Sequence, residues 1–251
     1  MPNFFVPIEQ ISGNRIEISG DDALHISRSL RMTTGEKIVV FDMRGGEYHC
    51  TLEAFETGRV VARIVERFAI SAEPPGVITL YQAFAKGDKF DLIVQKGVEL
   101  GVCKIVPFES ERCVSKPDRR SVEKKIARWQ RIALEAAKQC GRGIIPSVTP
   151  PLSFDWMLTE AAKTDIPLFC YEGEGTEPLS LVLAGYKQRR DMAGDAPDIS
   201  IVVGPEGGFS QGEVKRAKEA GLPCVGLGKR ILRCETASLF VLACISYEFE
   251  I

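Results

Sequence analysis

The feature that most restricts the fold is the rhythm of the chain after residue 76. Short apolar runs (VITLYQAF, KIVPFES, IPLFCY, ISIVVG, PCVGLG) alternate with longer stretches of helical periodicity. The latter are DKFDLIVQKGVELG, a segment over roughly 119–140, PLSFDWMLTEAAKT, PLSLVLAGYKQRR, SQGEVKRAKEAG and ETASLFVLACISYEF. Buried-looking strands alternating with helices imply an α/β domain built on a mainly parallel sheet. The first seventy or so residues read differently. Short β-prone runs (FFVP, RIEIS, KIVVFD, YHCTLEAF, RVVARIVERF) are separated by glycine turns, which suggests a small barrel. One helical piece, DDALHISRSLR, interrupts them, with Asp21 or Asp22 as its N-cap. SAEPPG (71–76) reads as the linker and GDAPD (194–198) as a loop. At 251 residues the chain has room for two such domains.

The segment IVVGPEGGFS (201–210) runs from a strand into a tight turn, where many proteins hold a cofactor. It lacks the lysine of a P-loop, and Gly204, Gly207 and Gly208 miss the dinucleotide spacing. Glu206 would also repel a pyrophosphate where backbone amides should attract one. PCVGLGKRILRCETASL and IPLFCYEGEG leave their strands through comparable turns. Three strand ends of one parallel sheet would converge at its carboxyl edge, where α/β folds bind ligands. S-adenosylmethionine suits such a place: it has no phosphate, its sulfonium tolerates nearby carboxylates, and apolar walls such as Leu227, Ile231 and Leu232 would hold its adenine.

Eight cysteines form no Cys-x-x-Cys pair, and with two histidines available no metal-ligand spacing appears. Reduced, mostly buried thiols in a cytoplasmic protein are expected. No run is long enough to cross a bilayer, and MPNFFVPIEQ is not a signal peptide. Charge is uneven. Ten basic residues against three acidic ones between Arg112 and Arg142 give that segment +7, leaving −9 to the rest of a chain whose total is −2. Such a segment reads either as a footprint for phosphates or as a solvated helix face. Trp129 and Trp156 fall in helical apolar patterns and read as core, and His25 reads as structural.

GPEGGFS (204–210) followed by LGKRILRCETA (227–237) closely resembles the signature of the RsmE-type methyltransferases of the SPOUT superfamily. KGDKFDLIVQKGVELGV (86–102), RWQRIALEAAKQCGRGIIP (128–146) and, more weakly, HISRSLRMTTGE (25–36) extend the resemblance over nearly the whole chain. Two positions depart: Cys140 stands where serine is usual, and Asn3 precedes an aromatic pair usually led by arginine. The resemblance implies a PUA-like RNA-binding β-barrel over 1–72 and a knotted (deep trefoil) α/β SPOUT domain over 75–251. It also implies a homodimer joined through the knot, and S-adenosylmethionine-dependent methylation of ring nitrogen 3 of a uridine in 16S ribosomal RNA, uridine 1498. The substrate is the RNA or the small ribosomal subunit.

On that footing the cofactor residues are Tyr171, Glu172, Gly173, Gly204, Pro205, Glu206, Gly207, Leu227, Gly228, Ile231, Leu232, Thr236 and Ala237. An imide N–H with a pKa of ~10 costs about 4 kcal/mol to ionise at pH 7. A guanidinium beside a ring oxygen would favour the anion, and Arg233 is the first candidate. Glu206 or Glu235 would accept the proton, although Glu235 also reads as a helix-dipole partner and Thr236 as a plain cap. RNA contacts are expected from Arg112, Lys116, Arg119, Arg120 and Gln139, with Arg142 closer to the target base. Lys86, Lys89 and the pair Arg28 and Arg31, three apart on one helix face, complete the set. A ribose 2′-hydroxyl methyltransferase of the same fold and a non-catalytic RNA-binding protein are the rival readings.

Overall fold

The computed structural model describes residues 1–114, 118–193 and 196–250, without the side chains of residues 119 and 189–193. The chain divides into two units, Met1–Glu73 with Ala137–Ile145, and Pro74–Ala136 with Pro146–Ile251.

The first unit holds β1 (Asn3–Phe5), β2 (Ile11–Ser12), β3 (Arg15–Ser19), β4 (Lys37–Phe41), β5 (Gly46–Glu56) and β6 (Arg59–Ala69). They form one mixed sheet in the order β1-β4-β5-β6-β3-β2, with β1 parallel to β4 and the other pairs antiparallel. Its strand order is linear, with β1 and β2 at its two ends. Two register shifts in β5, at His49/Cys50 and Leu52/Ala54, interrupt its pairing with β6, as bulges that bend a strand do. Along β3 exposed and buried residues alternate, so one face packs and the other is wet. Phe4, Ile16, Ile18, Ile38, Val40, Leu52, Val60 and Ala62 make the core, joined by Ala23 and Ile26.

Those last two lie on a helical piece that differs from expectation. α1 (Gly20–Leu24) continues into one π-type turn, His25–Ser29, and stops. Ser19 rather than Asp21 or Asp22 occupies the N-cap position, and both aspartates sit in the first turn, where their charge suits the dipole. Arg31 lies beyond the helix with φ +52°. Arg28 and Arg31 therefore do not share a helix face. His25 is exposed, with an edge contact to Phe4 at 6.4 Å.

The second unit holds β7 (Val77–Ala83), β8 (Lys104–Phe108), β9 (Ser147–Val148), β10 (Ile166–Cys170), β11 (Glu177–Pro178), β12 (Asp198–Val203) and β13 (Cys224–Gly226). Every pairing is parallel, in the order β11-β13-β10-β12-β7-β8-β9. The two-residue strands β9 and β11 are too short to carry a sequence pattern. The helices are α2 (Lys89–Glu99), α3 (Arg119–Cys140), α4 (Phe154–Ala161), α5 (Leu179–Ala193), α6 (Gln211–Glu219) and α7 (Cys234–Phe249). All five residues of β10 are buried.

Trp129 is core: it stacks on Phe90 of α2 at 4.0 Å, and its indole N–H donates to Asp91 at 3.0 Å. Trp156 is not, being 64% exposed. In α4 the buried side is made by Phe154, Met157, Leu158 and Ala161. A residue two places after Phe154 is turned some 200° away from it, onto the opposite side. Among the described residues no helix is long and apolar enough to cross a membrane. Burial pushes the thiols of Cys50, Cys170 and Cys234 up to about 12, so these cysteines remain protonated.

Candidate active site

Four strands end level with one another. Gln82 of β7 pairs with Val203 of β12, Val203 with Cys170 of β10, and Cys170 with Val225 of β13. The turns that follow therefore open at one height along the carboxyl edge. They enclose a cavity of about 430 Å³.

Its walls come mainly from three segments, 170–172, 203–209 and 226–237, joined by Lys89 and Thr176. Of the cofactor residues anticipated from the sequence, Tyr171, Glu172, Gly204, Pro205, Glu206, Leu227, Gly228, Ile231, Leu232 and Ala237 line it, and so does Arg233. Gly173, Gly207, Thr236 and Glu235 do not. Gly207 faces Arg112 instead: the guanidinium donates to its carbonyl at 3.1 Å, and an added Cβ would lie 3.1 Å from the Arg112 Cβ. Thr176, Gly208 and Phe209 line the cavity without having been anticipated. No sequence pattern marks Thr176. Phe209 was legible only as an apolar residue closing the glycine turn.

The 204–208 turn is pinned at both ends. Gly208 N–H donates to Pro205 C=O at 3.0 Å. Beyond it Phe209 is buried against Phe169 of β10 at 4.2 Å. Ser210 then starts α6 with a capping box, its hydroxyl accepting from Glu213 N–H at 3.1 Å while the Glu213 carboxylate accepts from Ser210 N–H at 2.9 Å. The other Glu213 oxygen accepts from Glu111 N–H at 2.9 Å, so this fully buried carboxylate is satisfied. Gly208 has φ +65°, and a Cβ there would come within 2.3 Å of a Glu172 carboxylate oxygen. The positive φ is what calls for glycine, since the Glu172 carboxylate could swing aside.

Glu206 is where the charge sits. One oxygen accepts from Lys86 N–H at 2.9 Å and from the Lys89 ammonium at 2.9 Å. Lys89 also lies 3.7 Å from Glu235. Burial alone would raise the Glu206 carboxyl, but the Lys86 amide and the Lys89 ammonium outweigh it and hold it below its ordinary 4.5. Glu206 in turn raises the Lys89 ammonium. Glu206 is therefore held as a carboxylate beside the Lys89 ammonium. Lys89, anticipated as an RNA-groove residue, lines the cavity as the partner of that carboxylate. Arg233 occupies the N-cap position of α7, makes no capping bond and is exposed at the cavity.

The donor set fits a phosphate-free cationic ligand. Glu172 and Glu206 can meet a positive group, Lys89, Lys229, Arg230 and Arg233 line the same cavity and can meet a carboxylate or ring oxygen, Leu227, Ile231 and Leu232 add apolar wall, and Gly228, at φ +99°, leaves open space where a side chain would stand.

Among the anticipated RNA residues, Lys86, Arg112 and Arg120 are exposed in the second unit, and Arg28, Arg31 and Gln139 in the first. Lys116 and the side chain of Arg119 lie outside the described residues. Arg142 departs from expectation. Its side chain is 3% exposed, and the guanidinium donates to one Glu73 oxygen from Nε at 3.1 Å and from Nη2 at 2.6 Å. The other Glu73 oxygen accepts from the N–H groups of Gly143 and Ile144, each at 3.0 Å. Arg142 thus fixes the 142–144 backbone and is not presented to solvent. Asn3 donates to Lys138 C=O at 2.8 Å, near the end of α3.

Comparison with known proteins bears on the same segments. The RNA methyltransferase domain family matches residues 72–246, and the RNA methyltransferase PUA domain family matches residues 18–65. The chain is 34% identical over 235 residues to ribosomal RNA small subunit methyltransferase E of Bacillus subtilis, covering 93% of this chain and 90% of that one. The protein of the same name from Aquifex aeolicus is 31% identical over 94% of this chain and 95% of its own. Among solved structures, ribosomal RNA small subunit methyltransferase E of Neisseria gonorrhoeae, bound to S-adenosyl methionine, superposes with a TM-score of 0.81 at 34% identity, covering 98% and 97% of the two chains. A Legionella pneumophila protein solved with the cofactor SAM gives 0.82 at 31% identity, covering 98% and 96%. The chain belongs to the RNA methyltransferase family and, within it, to the group of the ribosomal RNA small subunit methyltransferase E proteins.

Proposed function

We propose that this chain transfers a methyl group from S-adenosylmethionine to ring nitrogen 3 of a uridine in 16S ribosomal RNA, uridine 1498. The observation that carries the reading is the cavity at the aligned strand ends, with an ionised Glu206 in a turn that suits no phosphate. S-adenosylmethionine would supply an electrophilic methyl on a sulfonium, held by Tyr171, Glu172, the 204–206 turn and the 227–232 wall. The protein's task is then to align the acceptor nitrogen and favour its anion. Arg233 stands at the cavity with no capping duty, so its guanidinium is available to the ring oxygen that gains charge. Glu206 or Glu235, both beside the Lys89 ammonium, would receive the proton. The exposed Arg28, Arg31, Lys86, Arg112, Arg120 and Gln139 contact the RNA backbone, and the target base leaves its stack to reach the cavity. The reading carries with it a knotted 75–251 domain, a homodimer and a cytoplasmic location.

The test is methylation of small ribosomal subunits from a strain lacking the activity, with mass spectrometry locating the methyl. The wild type should place it on uracil N3, and Arg233→Ala should lose about 10²–10³-fold in rate while still binding the donor. A methyl on a ribose 2′-oxygen would replace the acceptor assignment, and absence of donor binding by titration would leave an RNA-binding protein without catalysis.

A further inference from the structure

Two side chains behind the cavity belong to no motif and do not line it: Gln82, at the end of β7, and Ser238, in the first turns of α7. Both are 0% exposed. The Ser238 hydroxyl lies 2.5 Å from Gln82 Oε1 and 3.0 Å from Cys234 C=O. Gln82 Nε2 donates toward Ala83 C=O at 3.2 Å and Gly204 C=O at 3.4 Å. The amide orientation is internally consistent, because turning it over would set its oxygen against two carbonyls. A hydroxyl has one proton, and the shorter contact directs it to Gln82. Gly204 opens one wall of the cavity, and Cys234 to Ala237 close the other.

We propose that Gln82 and Ser238 are a pair of positioning residues: a buried strut joining the 204–208 wall to the 227–237 wall, so that donor affinity depends on two side chains the donor does not touch. The inference rests on reading the cavity as the S-adenosylmethionine site. In a site closed to water the Ser238 hydroxyl can otherwise turn only to Cys234 C=O of its own helix, and the Gln82 amide holds Gly204 C=O with its other end, so the Ser238–Gln82 bond is what sets the separation between the walls. Apolar packing in the same place would supply burial without direction, and the walls would be free to slide. A misplacement on the ångström scale is enough to reduce a binding or catalytic function by one or two orders of magnitude.

The test is isothermal titration of S-adenosylmethionine into full-length wild type, Gln82→Met, Ser238→Ala and the double variant. Each single change should raise the donor Kd about tenfold, and the double should be no worse than the weaker single, as for one coupled device. RNA affinity in the absence of donor should be unchanged in all three, which general unfolding would not allow. A Kd within twofold of wild type in the double variant, or single effects that multiply independently, would overturn the strut. If Gln82→Met does not fold, Ser238→Ala, which removes one buried oxygen, decides alone by the same twofold limit. A wild type that binds no donor fails the cavity reading itself, an outcome distinct from variants that bind as well as wild type.

Discussion

Two acidic side chains, Asp42 in the first unit and Glu206 in the second, solve the same problem by opposite means. Each is a carboxylate at the end of a strand with its charge partly withdrawn from water. Asp42 is served from within its own hairpin: Arg44 N–H and Gly46 N–H at 2.8 Å and the Tyr48 hydroxyl at 2.9 Å, two, four and six residues away. Glu206 is served by Lys86 and Lys89, 120 and 117 residues away. A carboxylate satisfied locally shapes a turn and is finished; one satisfied from a distant segment closes a cavity wall and keeps its charge where a ligand can meet it. The sheets differ in the same sense. β3 alternates between packed and wet faces, whereas β10 is buried throughout. A sheet with helices on both faces offers solvent only its ends, and the site is found there.

The contrast can be broken in several ways. The largest effect should come from Leu168→Ala in β10, a fully buried position, costing about 2–5 kcal/mol in denaturant unfolding. Removing the exposed Glu17 of β3, paired with Arg59 at 3.2 Å, should cost under about 1 kcal/mol. If the two losses were equal, the distinction between covered and half-wet strands would fail. Next, Asp42→Ala should destabilise by roughly 1–3 kcal/mol by orphaning two amides and a hydroxyl, without changing donor affinity. Glu206→Gln should do the reverse: stability within about 1 kcal/mol of wild type, donor Kd raised about tenfold by loss of a screened charge attraction. A donor effect from Asp42 or none from Glu206 would undo the pairing of roles.

Acid titration sharpens the same point with a smaller effect. Burial alone would raise the Asp42 carboxyl, but its amide and hydroxyl donors hold it below the ordinary 3.8, as Glu206 is held below 4.5. A depressed carboxyl contributes stability that is full above its unfolded pKa and is lost as pH falls through its folded pKa. Stability should therefore be flat on descending to about pH 4.5 and decline below it. Asp42→Asn and Glu206→Gln should each flatten part of that acid limb, read as denaturation midpoints from pH 6 to about 2. A decline beginning well above pH 4.5 would point to other groups.

Much of the site was legible because its determinants are local. A strand that stops, a glycine that permits φ +65° and a serine three residues before a glutamate are all written within IVVGPEGGFSQGE (201–213). Trp156 and Arg142 were misread for a common reason. Apolarity in a helical pattern does not say which side faces the core, and a positive charge does not say whether a glutamate 69 residues away will claim it. Lys89 was read as a residue lining the RNA groove, and nothing near it in sequence reveals its pairing with Glu206.

Residue order by itself determined the parallel sheet, the turns that end its strands and the carboxylate placed in the 204–208 turn, since periodicity, backbone freedom and local charge act over a few residues. The level ending of four strands, the Lys89–Glu206 pair and the buried Gln82–Ser238 contact were decided only by tertiary structure. Each depends on segments more than a hundred residues apart meeting at one height of the sheet, and strand register is set by packing the whole unit.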